Sequence, residues 1–323
     1  MNFLLRRLVH GGIVLLAMSL LVFAAVYAIG SPVDLLVDPN ADATDRERVI
    51  RGLGLDRPLP LQYLLFLKGA LSGNLGNSFI YGTPAIPLIL SRLPATLELA
   101  LSALAIAVLV GLPLGLYAGT KRNSASRLIE GFALLGFSLP TFWIGLMLIL
   151  VFAVDLQWLP PGGRGPTYEV FGIELSCLSR EGWRHLLLPA TTLALFNIAL
   201  LIRVTRSGVA DALGRDYVRF ARSRGLGPAH ILGVHVLRNL MIPIITLLGL
   251  EFGSTVAFAV VTESVFGWPG MGKLLIDAVG TLDRPLIVAY LLLTTTLFVA
   301  VNLLIDVSYG LLDPRLRRES GDA

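Results

Sequence analysis

The chain has 323 residues, of which 55% are hydrophobic and only 15% charged, and its mean hydropathy is +0.76; this is too apolar for an ordinary soluble domain. The formal charge of +4 does not imply a nucleic-acid partner, because the basic residues sort by membrane side rather than onto one polar face. The single cysteine, Cys177, excludes an internal disulfide and has no Cys or His at metal-ligand spacing, so it reads as a small apolar filler.

Six stretches are long and apolar enough to cross a bilayer, at roughly 9–29, 96–119, 130–154, 186–207, 240–262 and 286–311. The expected fold is therefore an all-α polytopic membrane protein with six transmembrane helices. Basic residues before the first stretch imitate a signal peptide. The apolar run is too long for an h-region, however, no A-x-A site follows, and Arg6-Arg7 leads into Leu-Val-His rather than an export motif. Residues 1–29 are read as a retained first helix.

Cytoplasmic loops carry excess Lys and Arg, and short loops are the most informative. The loop at 120–129 holds Lys121, Arg122 and Arg127 and no acid, so it lies inside. Alternation puts both termini inside as well, and 15 of the 26 Lys and Arg residues then fall on the inner side. Residues 30–95 become an extracytoplasmic segment. Within it Leu61, Leu64, Leu65, Phe66 and Leu71 suggest a short helix lying along the outer surface, against either the membrane or the protein's own helices. Residues 96–311 hold the remaining five helices with a cytoplasmic loop at 208–239, and 312–323 form a cytoplasmic tail.

Charges within the spans divide into two groups. Glu98, Glu130 and Asp155 fall near predicted helix ends, where water is expected to reach them. Glu251 and Asp306 fall nearer mid-span, where an acid costs roughly 2.5–3.5 kcal/mol on insertion scales. Asn302 stands one turn before Asp306. These residues either pair within the bundle or face a translocation path.

The cytoplasmic stretch "GRDYVRFARSRGLGPAHILGVHVLRNLMIPI", Gly214 to Ile244, has the clearest local pattern. Asp216 to Arg224 make about two helical turns, with Tyr217, Phe220 and Ala221 on one side and arginines dominating the other. Gly225 is a C-terminal stop, and Gly227-Pro228 restarts a helix. The result is either a short rigid lever between two breaks or a solvated loop that sets topology.

"GWPGMGKL", Gly267 to Leu274, spaces two glycines and a lysine as a nucleotide-binding P-loop does. Leu274 replaces the Ser or Thr that would hold Mg²⁺, and the charge map places the turn on the outer side, out of reach of cytosolic ATP. Irregular backbone there must be buried in protein or face a water-filled cavity. Trp268, Pro269 and Gly270 are therefore candidates for the outer mouth of a path. None of the four histidines is followed by Glu, so there is no H-E-x-x-H, and no G-x-S-x-G occurs; no enzymatic activity and no cofactor are expected on this chain.

The loop from Asp216 to Pro243 resembles the signature loop of binding-protein-dependent ABC importer permeases, specifically the dipeptide, oligopeptide and nickel family. Its matching residues are Asp216-Tyr217-Val218-Arg219, Ala221-Arg222, Gly225-Leu226, His235, Leu237-Arg238-Asn239 and Ile242-Pro243. "RLPATLELAL", "SLPTFWIGLMLILVFAVDLQWLPPGG", "TESVFGWPGMGKLL" and "VNLLIDVSYGLLDPRLR" are similar to the family too, so the likeness runs along nearly the whole chain.

The resemblance implies a type I ABC importer permease fold. It implies coupling to an ATPase through Asp216, Tyr217, Arg219, Phe220, Ala221, Arg222 and Gly225. It also implies a second permease subunit, two cytosolic ATPase subunits that carry ATP and Mg²⁺, and an extracytoplasmic solute-binding protein. The cargo would be a dipeptide, an oligopeptide or a nickel chelate, and the site of action the cytoplasmic membrane of a bacterium or archaeon. One departure matters: Arg219 stands where the broader motif has Glu, so no salt bridge from that position to the ATPase is carried over. The rival is an ion-gradient-driven transporter or channel, which would be expected to show internal repeats and a chain of intramembrane ionisable groups; no convincing repeat is visible.

Overall fold

The structure is a computed structural model that describes residues 3–28, 43–52 and 56–312. In chain order the helices are α1 Phe3–Ala28, α2 Ala43–Gly52, α3 Leu59–Leu71, α4 Ala85–Thr120, α5 Ser124–Ser138 and α6 Thr141–Asp155. After a short antiparallel hairpin, β1 Tyr168–Val170 and β2 Ile173–Leu175, come α7 Arg180–Leu213, α8 Asp216–Ser223, α9 Pro228–Phe266, α10 Met271–Gly280 and α11 Arg284–Leu312. The boundary at residue 29, the tail with Arg315, Arg317 and Arg318, and the side chain of Asp306 lie outside the described residues.

Five of these helices, α1, α4, α7, α9 and α11, are each long and apolar enough to span a membrane, and α5 with α6 makes a sixth span only if the pair is counted together. The expected single helix at 130–154 is thus corrected to two helices bent by 110°. Pro140 is the cause. It disfavours helical backbone at the preceding residue, and Leu139 accordingly sits in extended conformation with φ −97° and ψ 135°. The other spans run past their predicted ends: α4 starts at Ala85 and passes through Pro94 and Pro113, and α9 starts at Pro228. The cytoplasmic loop expected at 208–239 shrinks to the residues between Leu213 and Pro228.

The chain divides into two compact units, one comprising the residues up to Arg92 and from Leu274 onward, the other Leu93–Lys273. In the first unit α1 packs along α11, and Gly11 has no room for a side chain against Val299. α3 lies on the outer third of α1, where Tyr63 and Ser19 share a 2.9 Å hydrogen bond and Phe23 packs between Tyr63 and Phe66. Leu61, Leu64, Leu65 and Leu71 stay exposed, so only part of the helix's apolar surface meets protein. Asp283 is buried before α11, where its carboxylate accepts from the Ser78 hydroxyl and, at 3.4 Å, from the Ile80 amide.

The core of the second unit is built on α7, whose inner face from Leu186 to Ala212 is almost wholly buried. The contact with α4 depends on Gly111, Gly115 and Gly119, spaced four apart on one face. An added Cβ at each would lie within 3 Å of Leu201, Thr205 or Val209 of α7. Close backbone approach through small residues is how helices associate where lipid removes the hydrophobic driving force.

Candidate functional site

α8 lies between α7 and α9, on the cytoplasmic side assigned by the positive charges. It ends as the sequence requires: Gly225 adopts φ +76°, its amide donates to the Arg222 carbonyl, and the Leu226 amide donates to the Ala221 carbonyl. These are the paired bonds of a Schellman cap. The face presented is less simple. Val218 and Ala221 are buried with Val209, Ala212, Ile231 and Val236, whereas Phe220 is 64% exposed with the Arg224 guanidinium over its ring at 5.7 Å. The expectation that Tyr217, Phe220 and Ala221 share one side is corrected: Ala221 is 4% exposed and anchors the helix inward, and the available apolar group is Phe220 with Tyr217 beside it. A helix of this length puts residues three and four apart on one face, so Val218 and Ala221 share the inward face and Tyr217 and Phe220 the outward one. Asp216 and Arg219 form an exposed pair at 3.4 Å, and Arg222 is exposed.

The other end of the same unit is closed by two buried carboxylates that the sequence reading missed or misplaced. Glu98 does not reach water; it is 5% exposed. One of its oxygens accepts from the Ser176 amide (2.7 Å), the Ser176 hydroxyl (3.0 Å) and the Cys177 amide (2.6 Å). The other accepts from Arg164 Nε and Nη2 at 3.1 and 2.7 Å. Arg164 also donates to the Glu174 carbonyl, so one α4 side chain pins both flanks of the hairpin. Asp155 ends α6 and is exposed as expected, whereas Glu130 falls mid-helix, because α5 starts at Ser124, and is half-buried and paired with Arg206 at 2.8 Å.

The second carboxylate answers the P-loop likeness of "GWPGMGKL". α9 continues to Phe266 and stops at Gly267, which takes the left-handed conformation at φ +60°. The chain then turns through Trp268-Pro269-Gly270 into α10. Glu263, 0% exposed, accepts from the Lys273 amide at 2.9 Å, from the Gly272 amide, and from the Thr96 hydroxyl at 2.6 Å. Thr96 Oγ1 in turn accepts from the Met271 amide at 2.9 Å. The turn is therefore an anion cradle at a helix N-terminus whose anion is the chain's own glutamate. A Cβ on Gly270 would fall about on the Glu263 carboxylate, so only glycine fits.

Trp268, expected at the mouth of a path, is 0% exposed and its indole donates to the Ala95 carbonyl at 2.9 Å. Arg164 lies 5.8 Å from the centre of that ring, and Pro269 and Gly270 are covered in part or in full. These three residues are packed into the protein rather than exposed at a mouth. The signals for Thr96, Arg164, Ser176 and Glu263 were present only as polar residues beside helix ends, and no spacing in the sequence joins them.

Between the two ends, Glu251 is half-buried on α9, one turn before Thr255, whose hydroxyl accepts from Asn197 Nδ2 of α7 at 3.0 Å. Asn302 on α11 turns its amide back onto the Phe298 carbonyl of its own helix at 2.8 Å.

Two family models cover the chain. Residues 111–318 match the binding-protein-dependent transport system inner membrane component, and residues 1–100 match the N-terminal part of such membrane components. The di/tripeptide transport system permease protein DppB of Pseudomonas aeruginosa is 39% identical over 99% of both chains. The oligopeptide transport system permease protein AppB of Bacillus subtilis is 37% identical, over 97% of this chain and 98% of that one. Among solved structures, the MetNI methionine ABC transporter in inward-facing conformations aligns with a TM-score of 0.54 at 12% identity, over 70% of this chain and 96% of that chain. That likeness shows the fold, a type I permease fold.

Proposed function

The chain belongs to the family of binding-protein-dependent transport system inner membrane components, and from that premise we propose that it is one permease half of an ATP-driven peptide importer. It works beside a second permease subunit and two cytosolic ATPase subunits that hold ATP and Mg²⁺, in the cytoplasmic membrane of a bacterium or archaeon. An extracytoplasmic binding protein delivers the cargo. Di- or tripeptides are the favoured cargo, supported by what the relatives' names state of those proteins.

The observation that carries the reading is the division of α8. Val218 and Ala221 lock the helix into the core, while Tyr217 and Phe220 stand out from it among Asp216, Arg219, Arg222 and the Gly225 cap. A helix fixed on one face and apolar on the other transmits a push without bending. An ATPase that grips Phe220 differently in its open and closed states supplies the differential contact such coupling requires. Ordered motion of α7 and α9, joined through α8, then opens the path past Glu251 of α9. The packed Trp268-Pro269-Gly270 turn closes its outer mouth.

Cysteine scanning tests this. In complexes with the co-expressed ATPase, Phe220→Cys is expected to crosslink to the ATPase and Ala221→Cys to stay unreactive. Equal crosslinking at both positions, or at neither, rules the coupling geometry out.

A further inference from the structure

The group left without a role is Glu251. It lies about four turns before the outer end of α9, deep in an apolar span, and no cation pairs with it among the described residues. An acid held there is costly to insert and marks either a partner or a path. One turn on, Thr255 faces α7 and accepts from Asn197, which is 4% exposed. The other end of that amide, Asn197 Oδ1, is buried and receives no hydrogen bond. This stretch of α9 and its neighbour on α7 therefore present two acceptor groups, an acid and an amide oxygen, and among the described residues neither receives a hydrogen bond.

A protonated amine is the complement of such a pair, because it brings three N–H donors, a positive charge and no acceptor. A free peptide amino terminus, with a pKa near 7.7–8.0, is largely in that form at neutral pH. Resting on the peptide reading above, we propose that Glu251, together with Asn197 Oδ1 at the level of Thr255 one turn further along α9, receives the amino-terminal ammonium of the peptide during its passage. Asn197 Oδ1 is closed off in this conformation, so Glu251, only half-covered, makes the first contact and Asn197 joins when the α7–α9 seam loosens around the cargo. A carboxylate without its cation and an amide oxygen without its donor are both satisfied in one step, and both are released when the peptide leaves inward.

The test uses the full complex reconstituted in vesicles, with ATPases and binding protein, and reads dialanine taken up per ATP hydrolysed. Glu251→Gln is expected to lower that ratio about tenfold, because the amide keeps the size but loses the charge. Glu251→Asp is expected to stay within about threefold of the unsubstituted complex. The proposal is overturned if Glu251→Gln keeps the ratio within threefold, or if Glu251→Asp loses it as fully as Gln does, which would mark a packing role. Failure of the unsubstituted complex to take up dialanine sinks the peptide reading itself, a distinct outcome.

Discussion

Glu98 and Glu263 show what a buried carboxylate is worth when several donors converge on it. Glu263 accepts two backbone amides and a hydroxyl. Glu263→Gln would turn one acceptor into an NH₂ facing N–H groups, and an unsatisfied buried donor costs about 1–3 kcal/mol. Gly270→Ala would push a methyl into the same carboxylate, an overpacking cost of about 1–3 kcal/mol. Both variants are expected to melt at lower temperature than the unsubstituted protein in detergent, and an unchanged melting temperature would contradict the cradle.

Cys177 reports on the neighbouring network. Burial pushes its thiol above the ordinary range, and the Glu98 carboxylate raises it further by charge and hydrogen bond, with Arg164 offsetting part of this. A raised pKa means less thiolate at a given pH. Alkylation of Cys177 is therefore expected to be slow at pH 8 and to keep accelerating above the ordinary thiol value of about 8.5, and Glu98→Gln should speed it at pH 8. The reaction rate against pH checks the sign.

At the scale of elements, the packing of α4 on α7 rests on the glycine ladder, and the prediction that belongs there is Gly115→Ala. The added Cβ would lie 2.7 Å from Thr205 Cβ and 3.0 Å from the Ile202 carbonyl, both on a rigid helix, so the helices must separate. A loss of about 1–3 kcal/mol is expected, read as a lower melting temperature, with Gly131→Ala, where nothing lies within 4 Å, as the unaffected control. The ladder stood in the open as G-x-x-x-G-x-x-x-G, and α8 with its Gly225 cap was equally plain, because both are local periodicities. The 110° break at Pro140 was only half legible. Proline announces a break, but whether the two halves continue in line or turn aside depends on what they pack against. Which side of α8 faces in was not legible at all, since Phe220 and Ala221 are adjacent and equally apolar in pattern.

For the molecule as a whole, sidedness makes the remaining prediction. Phe171 sits at the tip of the hairpin, wholly exposed, with φ +51° followed by Gly172 at +79°, a tight two-residue turn. In closed vesicles of native orientation, Phe171→Cys is expected to react with a membrane-impermeant maleimide from outside, and Phe220→Cys only after the membrane is opened. The reverse pattern would invert the topology.

The sequence alone determined the membrane class, the sidedness, the family likeness and the cytoplasmic helix, because apolar length, loop charge and short-range spacing are properties of neighbouring residues. Tertiary structure decided the rest. Glu98 and Arg164 are 66 residues apart, and Thr96 and Glu263 are 167 apart. Their pairing converts charges expected in water into a sealed outer network, and converts a loop that resembles a nucleotide site into a cradle for the chain's own carboxylate. Desolvation makes a buried charge depend on every partner around it, and only the folded chain specifies where those partners come from.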